Sequence, residues 1–260
     1  MKIVVLVKYV PDATGERSFA ADRIVDRAAA DGLLSELDEY AIEQALQVAE
    51  SGDDVEVVAL TLGPDDAADA IKRSLQMGAS AGVHINDVAV HGSDALGTST
   101  ILAAAVQKAG ADLVICGMAS TDGAMGVLPS MIAERLGWPA LTLGSTLSVS
   151  GGTATIRRDV DIASQTIEAT LPAVVSVTDQ SGEARYPSMK GILSAKKKPV
   201  ETWTLSELGI DPSGVGLAAA WTKVLQTTPR PPKEAGRVVP DSDGAGAHAL
   251  VDFLSAGKYI

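Results

Sequence analysis

The chain has 260 residues, 46% of them hydrophobic and 21% charged, with 33 Asp and Glu against 21 Lys and Arg for a formal net charge of -12. Such a chain buries roughly three quarters of its unfolded surface, which suits one substantial domain with an appendage and leaves two full domains cramped. The acidic balance gives no electrostatic footprint for nucleic acid or an anionic membrane, and a single cysteine, Cys116, excludes an internal disulfide and a cysteine-based metal cage.

In chain order, residues 2–7 (KIVVLV) predict a strand, 38–49 a helix, 55–60 (VEVVAL) a strand and 65–77 a helix. Residues 82–85 predict a third strand, 98–109 a helix, 112–116 (DLVIC) a strand and 127–136 a helix. The strands are too apolar to have one wet face, whereas the helical stretches place apolar groups three and four apart. Strand and helix in alternation predict a parallel, doubly wound α/β sheet. No apolar run approaches the roughly 20 residues of a membrane span, and residues 3–7 are too short for a signal-peptide core, so a cytoplasmic protein without membrane insertion is expected.

After Trp138 the rhythm changes. Residues 147–149, 153–158, 165–171 and 173–178 are strand-like, with Gly151-Gly152 as a turn, and predict an antiparallel addition that closes the domain. Beyond Trp203 the pattern weakens, so the expected division is an α/β domain over 1–203 and an extended C-terminal arm over 204–260. Residues 227–246 carry Pro229, Pro231, Pro232 and Pro240 among several glycines, which excludes helix and central strand. Only 247–255 (AHALVDFLS) regains helical spacing, ending at Gly257. The arm is either disordered or laid on another chain.

Residues 185–198 (RYPSMKGILSAKKK) bring five basic side chains, Arg185, Lys190, Lys196, Lys197 and Lys198, beside Tyr186, Met189, Ile192 and Leu193 and no acid. The stretch reads either as a solvated lysine run after a strand or as a docking loop.

Several enzyme signatures fail on context. Gly78-Ala79-Ser80-Ala81-Gly82 has the spacing of a nucleophile elbow, but it follows a helix and leads into a strand, the reverse of the order that exposes a nucleophile. Gly92 and Gly97 have P-loop spacing with Thr98 where the phosphate-binding lysine is required. No G-x-G-x-x-G follows the first strand, and His84, His91 and His248 lack metal-ligand spacing. No constellation for chemistry survives.

A nucleotide cradle remains. The strand 112–116 ends at Gly117, and residues 118–126 (MASTDGAMG) are small and glycine-bearing before a helix, so several backbone N–H groups can turn towards one anion at that helix N-terminus. A flexible strand-to-helix connection fits the same composition. Asp122 is suited to cap a turn or to hydrogen-bond a ribose.

These residues together resemble the electron transfer flavoprotein beta subunit family. The resemblance is carried by KIVVLVKYVPD at 2–12, LDEYAIEQAL at 37–46, LGP at 62–64 and LQMGASAGVHI at 75–85. It continues through CGMASTDG at 116–123, ERLGWP at 134–139 and IRRDVDIASQTIEATLPAVVSV at 156–177, followed by the basic stretch 185–198 where the family has its partner-recognition loop. The resemblance implies an adenine-nucleotide-binding, three-layer α/β fold like that of universal stress proteins, an obligate heterodimer with an alpha subunit, and one FAD held mainly by that partner. It implies electron transfer from flavin dehydrogenases, such as the acyl-CoA dehydrogenases of fatty acid beta-oxidation, to a quinone oxidoreductase-type acceptor.

The resemblance also implies a structural AMP. The matching contact positions are Leu6, Ser35, Glu36, Leu37, Asp38 and Leu62, then Gly117, Met118, Ala119, Ser120, Thr121, Asp122, Gly123, Ala124, Met125, Gly126, Val127 and Leu128. Many relatives have an acidic, amide-rich loop where this chain has Met118, Ala119, Ala124 and Val127, and Ser35 stands where asparagine is common. In electron-bifurcating relatives a second FAD takes the AMP site. Met189 falls at the family's apolar anchor, usually leucine, and the arm is implied to pack on the partner subunit. Two other classes compete: a freestanding nucleotide-binding regulator of the universal-stress-protein type, and a hydrolase using Ser80.

Overall fold

The structure, a computed structural model, describes residues 1–229, 231, 235–241 and 243–260. It divides into two compact units, Met1–Leu225 and Gln226–Ile260. In chain order the first unit comprises β1 (Lys2–Leu6), β2 (Tyr9–Pro11), β3 (Gly32–Leu34), α1 (Glu36–Ser51), β4 (Glu56–Leu62), α2 (Ala68–Met77) and β5 (Ala81–Ile85). There follow α3 (Ala95–Ala109), β6 (Leu113–Gly117), α4 (Leu128–Leu136), β7 (Ala140–Gly144), β8 (Thr146–Ser150), β9 (Thr153–Val160), β10 (Ala163–Thr170) and β11 (Ala173–Val177). The unit ends with α5 (Met189–Ala195), β12 (Val200–Trp203) and the single turn α6 (Gly216–Ala219).

Seven strands form one parallel sheet in the order β12-β5-β4-β1-β6-β11-β7. Because successive side chains of a strand point to opposite faces, β1 feeds two cores. Ile3 and Val5 pack with Ile42 and Ala45 of α1 and Ile71 and Leu75 of α2, while Val4 and Leu6 pack with Ile101 and Ala105 of α3 and Ile132 of α4. Helices on both faces of a parallel sheet make the doubly wound, three-layer architecture that the alternating pattern predicts.

The antiparallel addition is β10-β9-β8, turned at Gly151-Gly152 as expected. It is smaller than the sequence reading has it. Residues 173–178 are assigned there by position, yet β11 lies in the parallel sheet between β6 and β7. All five residues of β11 are buried, and a continuous apolar run such as AVVSV suits a strand covered on both faces, not an amphipathic meander. Strands β2, β3, β7 and β12 and helix α5 are not anticipated. Each is short, and β12 is an edge strand that buries only Trp203, so its periodicity is weak.

Residues 204–225 fold with the first unit, where the sequence reading begins the arm. Leu205 and Val215 are buried in the α3/α4 core, Gly216 N–H donates to Ser93 Oγ, and the Asp94 carboxylate that caps α3 also accepts the Trp221 and Thr222 N–H groups. The second unit holds α7 (Ala245–Ala256), at the expected place, with Phe253 stacked on Tyr259. The expected irregular stretch 227–246 falls partly outside the described residues, at 230, 232–234 and 242. Among the described residues no helix is long and apolar enough to cross a membrane.

Candidate functional site

The chain leaves β1 for β4 on one side of the sheet, and after β5 returns across it to β6 on the other. The crevice outside the carboxyl ends of β1 and β6 is therefore the topological switch point, where an open α/β sheet accepts ligands. It gathers the cradle residues predicted from sequence: Leu6 ends β1, Leu62 ends β4, Gly117 ends β6, Ser35 to Asp38 open α1, and Leu128 opens α4 after the loop 118–127. Ser80, by contrast, precedes β5 at the amino ends of the strands, between helix and strand as the sequence order demands.

Asp38 organises this crevice. Its Oδ2 accepts the Lys8 N–H at 2.8 Å, and the Gly117 N–H is also directed at the carboxylate. Burial pushes the Asp38 carboxyl up to about 7, against the pull of those two amides and the Lys8 charge. A Cβ on Gly117 would sit 2.7 Å from Asp38 Oδ1 and 2.7 Å from the Leu37 carbonyl oxygen, so only glycine permits this approach of β6 to α1. Burial likewise pushes the Cys116 thiol well above the usual thiol range, and the Asp38 charge adds to the shift. Cys116 is an inert core residue.

Asp122 fixes the loop. Its side chain is 3% exposed, with Lys8 Nζ 2.9 Å from Oδ1 and an Arg27 terminal nitrogen 2.6 Å from Oδ2. Gly123 N–H also donates to Oδ1 at 2.7 Å. Burial works against ionisation here, but the Lys8 charge and hydrogen bonds from Ser120, Lys8 and Arg27 hold the carboxyl well below the usual carboxylate range. Arg17 donates to the Thr121 carbonyl, so the excursion between β2 and β3 is tied to the loop at two points. Lys8 and Arg27 are missing from the residues singled out by sequence. Lys8 carries a readable signal, a cation where an apolar parallel strand ends, whereas Arg27 has no local signal because its partner is 95 residues away.

The crevice has unmet hydrogen-bonding capacity. Ser35 stands at the N-cap of α1 but makes no capping bond, and its Oγ, like Thr61 Oγ1 on β4, is buried without a partner. The N-terminus of α4 has no side-chain cap either. Orphan hydroxyls, uncapped N–H groups, two cations and an approach that excludes a Cβ fit a nucleotide with its anionic end at α4. Beside the loop, between the first turns of α3 and α4, a cavity of about 560 Å³ is lined by Asp94, Leu96, Met125, Val127 and Met131.

The basic stretch 185–198 lies elsewhere, against α1 and α2. Ser188 caps α5 by accepting the Gly191 N–H at 3.0 Å. Tyr186, Met189 and Leu193 are 89%, 74% and 63% exposed, an apolar ridge flanked by the exposed Lys190, Lys196 and Lys197, whereas Ile192 is half-buried. Arg185 Nε lies 2.7 Å from Glu43 Oε2 and its terminal nitrogens reach Glu43 and Glu50. Lys198 Nζ donates to the Leu75 carbonyl at 2.8 Å. Hydrogen bonds donated to Glu50 and Glu43 hold the Arg185 guanidinium above its ordinary range. Among the described residues no cluster of three or more His, Cys, Asp or Glu could hold a metal.

The electron transfer flavoprotein domain family matches residues 22–208 of this chain. The electron transfer flavoprotein subunit beta of Mycobacterium leprae is 47% identical over 264 residues, covering 99% of each chain. The subunit of the same name from Syntrophomonas wolfei is 32% identical over 254 residues, 98% of this chain and 96% of its own. The caffeyl-CoA reductase-Etf complex subunit CarD of Acetobacterium woodii is 30% identical over 240 residues, 92% of each.

Proposed function

The chain belongs to the electron transfer flavoprotein family as a beta subunit, and from that membership we propose that it pairs with an alpha subunit to form a cytoplasmic electron carrier, binds AMP in the β1/β6 crevice, and docks flavin dehydrogenases through residues 185–198. The carrier takes electrons from such dehydrogenases and delivers them to a quinone oxidoreductase-type acceptor. FAD, held mainly by the alpha subunit, supplies the redox chemistry when bound. This chain contributes no catalytic group, and its role is to hold, orient and dock.

The observation that carries the nucleotide assignment is the buried, unpartnered Ser35 Oγ at the N-cap of α1, the helix whose first turn holds the Asp38 carboxylate against which Gly117 is pressed. Ser35 and the loop amides would hold the nucleotide, with Lys8 and Arg27 lending positive charge. The loop needs few polar side chains for this, because backbone N–H groups bind phosphate whatever the side chain. That accounts for a loop that carries Met118, Ala119, Ala124 and Val127, none of them with a side chain that donates a hydrogen bond.

Docking is supported by the exposure of Met189 and Leu193, one helical turn apart on α5. A flexible thioether suits a surface that fits several partners. Beyond Leu225 we assign the arm to the alpha subunit, for which the exposed Leu250, Val251 and Phe253 of α7 give an apolar face.

Co-expression with the alpha subunit, purification of the complex and a count of nucleotides released on denaturation test the assignment. One FAD and one AMP per heterodimer are expected. Two FAD would replace the AMP assignment with the bifurcating type, and a colourless monomer would overturn the carrier reading.

A further inference from the structure

We propose that Arg185 is a positioning residue, one that sets the pose of the docking segment from within the subunit and does not itself touch the dehydrogenase. The inference rests on the docking reading of 185–198 and goes beyond it, because charge and position alone would count Arg185 among the cations that meet the partner.

The guanidinium is turned inward. Nε and one terminal nitrogen hold the two oxygens of Glu43 at 2.7 and 3.0 Å, and the terminal nitrogens also hold both oxygens of Glu50. The Arg185 main-chain N–H donates to Glu43 Oε2 as well, at 3.1 Å, so backbone and side chain are fixed together. Glu43 and Glu50 stand two turns apart on α1, on one face. Glu43 is 8% exposed and is steadied by Gln47 Nε2 at 2.9 Å, so the receiving carboxylate is itself preorganised. A planar fork held in this way has little freedom to reach outward.

The rest of the segment is anchored at two further points. A Cβ on Gly191 would collide with the Gln76 carbonyl oxygen, which presses α5 against the end of α2, and Lys198 Nζ caps the Leu75 carbonyl. Arg185 at entry, Gly191 in the middle and Lys198 at exit thus aim Met189 and Leu193 away from the body. Of the five basic residues, Lys190, Lys196 and Lys197 remain to meet an acidic partner surface. Arg185 also fastens the docking segment to the helix whose first turn, Ser35 to Asp38, borders the nucleotide crevice.

The test uses the flavin-loaded heterodimer as electron acceptor for a purified flavin dehydrogenase, comparing Arg185→Ala, Glu43→Gln/Glu50→Gln, the triple variant and Met189→Ala. Arg185→Ala is expected to raise the KM for the carrier about tenfold at unchanged maximal rate and flavin content, since a misplaced anchor weakens encounter geometry and not the chemistry. The Glu43/Glu50 variant is expected to reproduce much of that rise, and the triple variant to be no worse than Arg185→Ala, because both routes break one clamp. Tryptic cleavage after Lys196 and Lys197 is expected to quicken in the same variants, and Arg185→Lys, which keeps one carboxylate contact, is expected to lie between. If Arg185 met the partner directly, the Arg185 and Glu43/Glu50 losses would multiply and proteolysis would not change, and either result overturns the proposal. An unchanged KM for Arg185→Ala with an impaired Met189→Ala sinks the positioning role alone. An unchanged Met189→Ala sinks the docking reading and this inference with it.

Discussion

Lys8 Nζ lies 2.9 Å from Asp122 Oδ1, joining the exit of the first strand to a loop 114 residues later in the sequence. The Asp122 side chain is buried and the Lys8 side chain 40% exposed. Replacing Asp122 with asparagine keeps the shape but leaves Lys8 and Arg27 without their counter-charge. Breaking a buried pair by removing one partner costs about 3 to 5 kcal/mol, and since both cations here retain access to water a loss of about 2 kcal/mol is expected. For a domain of this size that lowers Tm by about 4 to 8 °C. A thermal melt within a degree of wild type would show that the pair does not hold the loop.

Gly117→Ala tests the close approach of β6 to α1. Its methyl group would meet a carboxylate oxygen and a carbonyl oxygen at 2.7 Å each, neither of which is the free end of a flexible chain. Overpacking of this kind costs about 1 to 3 kcal/mol, and the displaced strand end would widen the crevice. The purified heterodimer is expected to carry less than one adenine nucleotide while keeping its flavin. Full nucleotide content, measured by chromatography after denaturation, would contradict the placement of the ligand against this strand.

Asp38 gives a pH dependence with a definite sign. Its folded-state carboxyl lies at about 7, above the ordinary 3.8, so between those values the native state binds the extra proton. The stability from this group is fully present below the unfolded value and is lost as pH rises through about 7. Carboxylates with depressed folded values, Glu43, Glu50 and Asp122 among them, lose their contribution only at more acid pH. Between about pH 5.5 and 7.5 stability should therefore fall by about 2 kcal/mol, and Asp38→Asn should flatten that slope. Equal slopes in urea titrations of the two proteins would remove Asp38 as the cause.

What could be read from the sequence follows from the range of the interactions involved. Strands β1, β4, β5 and β6 are visible because burial on both faces writes a continuous apolar run, and the crevice loop is visible because small residues follow a strand and precede a helix. The same signal is present in β11, where its place after a hairpin assigned it to the wrong sheet. Helix α5 is only seven residues long, and its fixed position comes from Arg185 and Lys198 reaching α1 and α2, contacts 142 and 123 residues distant that leave no local trace. Pairings such as Arg27 with Asp122 are invisible for the same reason.

The exposed cations of the docking segment should act on rate more than on affinity. Lys190, Lys196 and Lys197 are exposed around the Met189–Leu193 ridge, while Lys198 is excluded from this group by its hydrogen bond to the Leu75 carbonyl. In a chain of net charge -12 these three form a local positive patch that must draw an acidic partner against the overall repulsion. Such steering raises association rates and is screened over about 8 to 10 Å at physiological salt. Replacing all three with glutamine is expected to slow electron acceptance by about tenfold at low ionic strength and by much less at high, because rim charges set the on-rate and its salt dependence. Met189→Ala should behave differently, with a several-fold loss that persists at every salt concentration, since an apolar anchor is not screened. Stopped-flow reduction of the carrier across a salt series separates the two. A triple variant that kept the wild-type salt slope would show that the lysines are a solvated run with no part in docking.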